Sequence, residues 1–228
     1  MNTAIITGAS RGLGLALAKA LAQKNWNLVI NARGSDALET ARSELAQHTQ
    51  VTAISGDIGD ENHAQNLIAA AGDFGGLDLL VNNASILGPM TKLEHMPITE
   101  LERVYKINTF APLRLIQLAT PSFKANPRVI NISSDAGVEG YETWGGYGSS
   151  KAALEQVSRV LASEHPDWKI YWVDPGDMRT QMHQEAFPGE DISDRPEPET
   201  SVPGILELIE ADWPSGRYKA QSMLEVKA

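Results

Sequence analysis

The chain has 228 residues, enough for one α/β domain with a single large core. Its 19 Lys+Arg against 29 Asp+Glu give a formal charge of −10, which argues against nucleic acid as a partner, because that binding needs Lys and Arg to neutralise phosphates. No cysteine is present, which removes disulfides, thiolate chemistry and Cys-based metal sites together.

From Met1 the chain enters a strand almost at once, with no basic and then apolar leader, and no run of about 18 apolar residues could span a membrane. A soluble cytoplasmic protein is the expectation. Thr3–Thr7 reads as a strand, Gly8-Ala9-Ser10-Arg11-Gly12-Leu13-Gly14 as a glycine loop, and 13–23 has helical apolar spacing. A second strand covers 27–31 (NLVIN). Strand, glycine turn, helix, strand is the βαβ unit that forces a parallel sheet. The pattern repeats with a helix over about 35–47, a strand Val51–Ser55, a helix over about 60–71 and a strand over 77–81. A long helical region over 99–123 follows, bent or divided by Pro112.

The strand beginning at Arg128 carries the apolar β-branched run Val129, Ile130 and Ile132, and Ser133 and Ser134 end it. A helix over about 147–165 and a strand over 169–173 complete six β/α steps of one doubly wound domain spanning 1–228. Residues 182–203 are rich in Pro and acid and lack sustained helical spacing, so they form either a disordered insertion or a loop over a site. The apolar anchors Met182, Phe187 and Ile192 favour a substrate lid. A helix over 202–209 and a last strand, Gly216–Lys219, end the reading.

Two stretches carry chemistry. The glycine loop follows a strand and opens a helix, so its backbone N–H groups can meet a pyrophosphate at a helix N-terminus, where the macrodipole favours negative charge. Tyr147 and Lys151 are one helical turn apart and share a face. A free phenol with a pKa of about 10 is a poor catalyst at neutrality, but an ammonium about 4 Å away at an effective dielectric of about 20 is worth about 4 kcal/mol. That interaction is expected to lower the phenol toward the range where proton transfer works best, with Ser134 hydrogen-bonding the substrate oxygen.

The set TGxxxGxG (Thr7 to Gly14), Asn82-Asn83-Ala84, Asn108, Ser134, Tyr147-x3-Lys151 and Pro175-Gly176, in this order and at these separations, resembles the short-chain dehydrogenase/reductase family. The resemblance covers about Ala4 to Tyr218 and is strongest through Thr180. It implies a Rossmann fold with a parallel sheet of about seven strands and helices on both faces. It also implies that Tyr147 is the general acid/base, that Lys151 lowers its pKa and touches the nicotinamide ribose, and that Ser134 binds the substrate oxygen. Asn108, in YKIN, corresponds to the residue that holds a relay water toward Lys151.

For the cofactor, the resemblance implies contacts from Gly8, Ser10, Arg11, Gly12, Leu13 and Gly14 of the loop. It adds Asp57 and Ile58 after the third strand, Asn83 and Ala84 after the fourth, and Pro175, Gly176, Met178 and Thr180 after the sixth. Thr180 either touches the carboxamide or caps a short helix. Ser85 stands where the family usually has glycine. No metal is implied.

NAD specificity normally places an acid at the end of the second strand, whereas this strand ends Asn31-Ala32-Arg33. Arg33 and Arg11 together can grip a 2′-phosphate, so NADP (NADPH) is the expected cofactor. Leu87, Tyr141, Trp144, Met178, Met182 and Phe187 suggest an apolar pocket for a small carbonyl or alcohol substrate. The reading is an NADP(H)-dependent carbonyl reductase, the alternative a catalytically silent NADP-binding sensor or scaffold. A homodimer or homotetramer through the helices at about 99–123 and 147–165 is implied by resemblance.

Overall fold

A computed structural model describes residues 1–223. Seven strands form one sheet: β1 (Thr3–Thr7), β2 (Asn27–Ala32), β3 (Val51–Ser55), β4 (Leu77–Asn82), β5 (Phe123–Ile132), β6 (Lys169–Asp174) and β7 (Gly216–Lys219). Their order is β3-β2-β1-β4-β5-β6-β7 and every adjacent pair is parallel. The order reverses between β1 and β4, which opens a crevice at the carboxyl ends of the strands, where ligands of such sheets bind.

Alternation along the strands builds two cores. Ile6, Leu28, Ile30, Val81, Ile130 and Val173 face one side and are covered by the helices α1 (Gly12–Gln23), α2 (Ser35–Leu45) and α8 (Val202–Glu210). Ile5, Val29, Leu80, Val129 and Ile170 face the other, under α3 (Glu61–Asp73) and α5 (Ala111–Ala119). These strand residues are buried on both faces, as expected of a parallel sheet. Each fully buried Val, Leu or Ile contributes about 1.5–3 kcal/mol relative to exposure.

The helical region expected over 99–123, bent or divided by Pro112, is corrected in its extent and ends at Ala119. It comprises α4 (Ile98–Tyr105), a π-helical turn over Lys106–Phe110 and α5, with Pro112 directly after the π turn, whose last bond runs from Ala111 N to Lys106 O. Thr120-Pro121 stops the helix in a short 3-10 turn, and Phe123 already pairs with Leu77 in β5. The strand therefore begins five residues before Arg128, its extension made possible by a register shift between Leu77 and Leu79.

α6 spans Gly145–Glu164, so Tyr147 sits in its first turn. Residues 182–203 hold most of a short helix, α7 (Gln181–Ala186), a buried Ile192 and a 3-10 turn at Pro198–Ser201. Among the described residues no helix is long and apolar enough to cross a membrane.

Candidate active site

A cleft of ≈ 1540 Å³ runs along the carboxyl ends of the strands. That exceeds the roughly 300–1,000 Å³ of a site for one drug-sized molecule, as a dinucleotide plus substrate requires. At one end lies the turn after β1. Gly8 has φ +67°, and a side chain there would meet Asn83 Nδ2 at 2.9 Å and the Ala84 backbone at 3.0 Å. A Cβ on Gly14 would meet the Gly8 carbonyl oxygen at 2.4 Å. The turn is therefore closed by its own backbone. Asn83 Nδ2 locks it from below, donating to the carbonyls of Thr7 at 2.9 Å and Gly8 at 3.2 Å.

α1 starts beyond Arg11 with no side-chain cap and no acid in its first turn, so its first N–H groups are left for an anion. Gly8, Ser10, Arg11, Gly12 and Leu13 line the cleft, whereas Gly14 lies behind the turn. Arg33, at the end of β2, is exposed on the cleft rim, and among the described residues it makes no hydrogen bond or ion pair. Arg11 Nη1 donates to Gln181 Oε1 across the cleft. Asp57 and Ile58 line the same end, with Asp57 Oδ1 accepting from Gly59 N at 2.8 Å. These N–H donors and the guanidiniums of Arg33 and Arg11 fit a dinucleotide with a phosphorylated ribose.

At the other end stand Tyr147 and Lys151, 8% and 2% exposed and both on the cleft wall. Lys151 Nζ donates to the Ile132 carbonyl at 2.7 Å and lies 5.5 Å from the centroid of the Tyr147 ring. Burial governs both groups. It pushes the Tyr147 phenol well above its usual range, against the hydrogen bonds of Ser134 and Ser85. It also lowers the Lys151 amine to about 7, against the charge of Glu155. The expected lowering of the phenol is thus reversed, because desolvation outweighs the hydrogen bonds of Ser134 and Ser85, and the charges of Asp135 and Asp174 add to the rise. Tyr147 stays a protonated phenol at neutral pH.

Ser134 caps the 3-10 turn Asp135–Gly137, donating to Asp135 Oδ1 at 2.8 Å and accepting from Ala136 N at 3.2 Å. It borders Tyr147 without lining the cleft itself. Asn108 is 1% exposed within the π-helical turn and also lies behind the cleft wall. Its amide donates to Ile86 O at 2.9 Å and Ser150 Oγ at 3.0 Å, and its oxygen accepts from Ser85 Oγ at 3.1 Å and Ile86 N at 2.9 Å. All four hydrogen-bonding positions of the side chain are taken.

Asn83, Ala84, Pro175, Met178 and Thr180 line the cleft. Gly176 instead borders a separate cavity of ≈ 240 Å³. Thr180 faces the cleft and caps α7, accepting from His183 N at 3.2 Å, so the helix-capping alternative is the one the contacts show. Leu87, Met178 and Met182 form cleft wall. Trp144 packs edge-on to Tyr147 at 5.9 Å and tilted against Phe187 at 5.8 Å. Tyr141 is tied to Asp135 by its hydroxyl at 2.8 Å.

Sequence reasoning missed Ser85 as a partner of Tyr147 and Asn108, although its departure from glycine marked it. It also missed Glu155 and Arg217, for which no local motif gave a signal.

The family model for short chain dehydrogenase matches residues 2–191. A benzil reductase of Saccharomyces cerevisiae, described as forming (S)-benzoin, is 33% identical over 98% of this chain and 85% of its own length. A short chain dehydrogenase structure from Salmonella enterica superposes with a TM-score of 0.90 at 26% identity, covering 96% of each chain. One from Shigella flexneri, described as complexed with NADP, gives 0.88 at 26% identity over 96% of this chain and 97% of that one.

Proposed function

The chain belongs to the short-chain dehydrogenase family, and from that premise we propose that it is an NADP(H)-dependent carbonyl reductase, running in reverse as an alcohol dehydrogenase. The observation that carries this reading is the buried Tyr147–Lys151 pair on the wall of a cleft whose far end is a glycine turn with an uncapped helix.

When bound, the nicotinamide cofactor supplies the hydride in reduction and accepts it in oxidation. Gly8 to Gly14 and the first N–H groups of α1 would hold its pyrophosphate, and Arg33 with Arg11 its 2′-phosphate. Tyr147, kept protonated by burial, donates its proton to the carbonyl oxygen as charge develops there. Ser134 and Ser85 orient the phenol and the substrate oxygen. Lys151 resupplies the proton and orients the ribose; Asn108, its side chain fully used, serves a water relay only through its main chain. Met182, Leu87 and Trp144 exclude water, and residues 182–203 act as the lid.

The assembly is a homodimer or homotetramer through the helical regions at about 99–123 and 147–165, which expose Phe110 and Val160. The test of function is NADPH consumption with benzil, a simple aliphatic ketone, an aldehyde and a quinone. Turnover of at least one supports the reading. Tight NADPH binding with no turnover on any of them would overturn it in favour of a catalytically silent sensor.

A further inference from the structure

The turn that presents Ser134 is held from behind by charges on three separate elements. Glu155 lies on α6, one turn beyond Lys151, and is 4% exposed. Asp174 ends β6 and is 5% exposed. Arg217, on the last strand, reaches in between them. Its Nε donates to Glu155 Oε1 at 3.0 Å, and its Nη2 donates to the Ser134 carbonyl at 3.1 Å and pairs with Asp174 Oδ2 at 3.5 Å.

The same acids continue the chain of contacts. Glu155 Oε1 also accepts from Ser133 Oγ at 2.7 Å. Asp174 Oδ1 accepts from Gly176 N at 3.0 Å, at the start of the segment that lines the cleft through Pro175 and Met178. One guanidinium thus ties the Ser133-Ser134 turn, the helix carrying Lys151 and the root of the 175–180 segment into a single body.

We infer that Arg217 is a positioning residue for the reduction: its planar fork fixes the Ser134 main chain and the 174–176 turn against α6, and so sets where the Ser134 hydroxyl stands beside Tyr147. The inference rests on the proposed reductase activity. Three considerations support it. Two carboxylates taken out of water without a partner lose most of their hydration, so the cluster requires a cation at this point. A fork can address two acids and a carbonyl at fixed angles, whereas an ammonium is a point donor on a flexible stem. And among the described residues the Ser134 carbonyl is met by Gly137 N at 3.1 Å within its own turn and, from outside it, by Arg217, while the neighbouring Ser133 N is bound to Val173 O at 2.7 Å.

The test uses the full chain with NADPH and benzil, or whichever panel carbonyl the wild type reduces. Arg217→Lys keeps the charge and loses the fork. The expected result is kcat reduced between about tenfold and about a hundredfold, as for displacements of about 1 Å at a reacting group. NADPH affinity and KM should stay within about threefold, because no cleft-lining group is removed. Arg217→Met combined with Glu155→Gln removes one charge of each sign, leaves the net charge of the cluster unchanged, and should show the same kcat loss if the lysine variant does not fold. A kcat for the folded variant within about twofold of wild type overturns the inference. So does a loss confined to thermal stability and cofactor affinity with saturated kcat unchanged, which marks a merely structural tie. A wild type that reduces none of the carbonyls overturns the reductase reading itself and this inference with it; a wild type that turns over beside an unimpaired Arg217→Lys overturns only the inference.

Discussion

Lys151 lies over the face of the Tyr147 ring, 5.5 Å from its centroid, while its ammonium is committed to the Ile132 carbonyl at 2.7 Å rather than to the phenol oxygen. The two groups share one wall of the cleft, and burial, which raises the phenol and lowers the amine, sets how each holds its proton.

Replacing Tyr147 with Phe removes the one acidic hydroxyl on that wall while keeping the ring that packs against Trp144. Turnover of the carbonyl panel should fall by about 10²–10⁴-fold, with NADPH affinity retained. Steady-state rates read by NADPH absorbance, together with a separate fluorescence titration of NADPH, check this. Rates near wild type would remove Tyr147 from the chemistry.

Burial of Lys151 carries a pH signature in stability. Its folded pKa of about 7 lies below the ordinary 10.5, so between these values the unfolded chain binds a proton that the folded chain does not. Stability should therefore rise with pH across that window and lose this contribution as pH falls toward about 7. Lys151→Met should lack the slope. Urea unfolding of both proteins at about pH 7 and about pH 9.5 decides it; parallel curves would contradict the buried-amine assignment.

Arg33 sits exposed on the cleft rim just after β2, without a partner among the described residues. Arg33→Asp should lower the ratio of kcat/KM for NADPH over NADH by at least about tenfold, since it replaces a phosphate donor with a repelling acid. Equal or better kcat/KM with NADH in the wild type would defeat the NADP reading at once.

Gly14 leaves no space for a methyl group: its Cβ would come within 2.4 Å of the Gly8 carbonyl oxygen and 2.6 Å of Asn83 Nδ2. Because the first of these is backbone, the turn must move. Gly14→Ala should cost about 1–3 kcal/mol of stability and weaken NADPH binding at least about tenfold. Thermal unfolding and NADPH titration measure the two effects, whereas Gly34→Ala, with open space around it, should leave the fold intact.

What the sequence by itself determined was the repeating order of strands and helices, the glycine turn and the one-turn spacing of Tyr147 and Lys151, because each of these is written in neighbouring residues: apolar alternation, a run of glycines, a helical repeat. The stopping of the long helix at Ala119 and the early start of β5 at Phe123 were less legible, since pairing with Leu77 outweighed the local helical pattern. Tertiary structure alone decided the proton affinities and the support of the site. Desolvation depends on everything that closes around a group, so the phenol rises although Ser134 and Ser85 hydrogen-bond it. Likewise Arg217 is separated from Glu155 by 62 positions in the chain and from Ser134 by 83, and only the packing of β7 beside β6 brings its guanidinium to both.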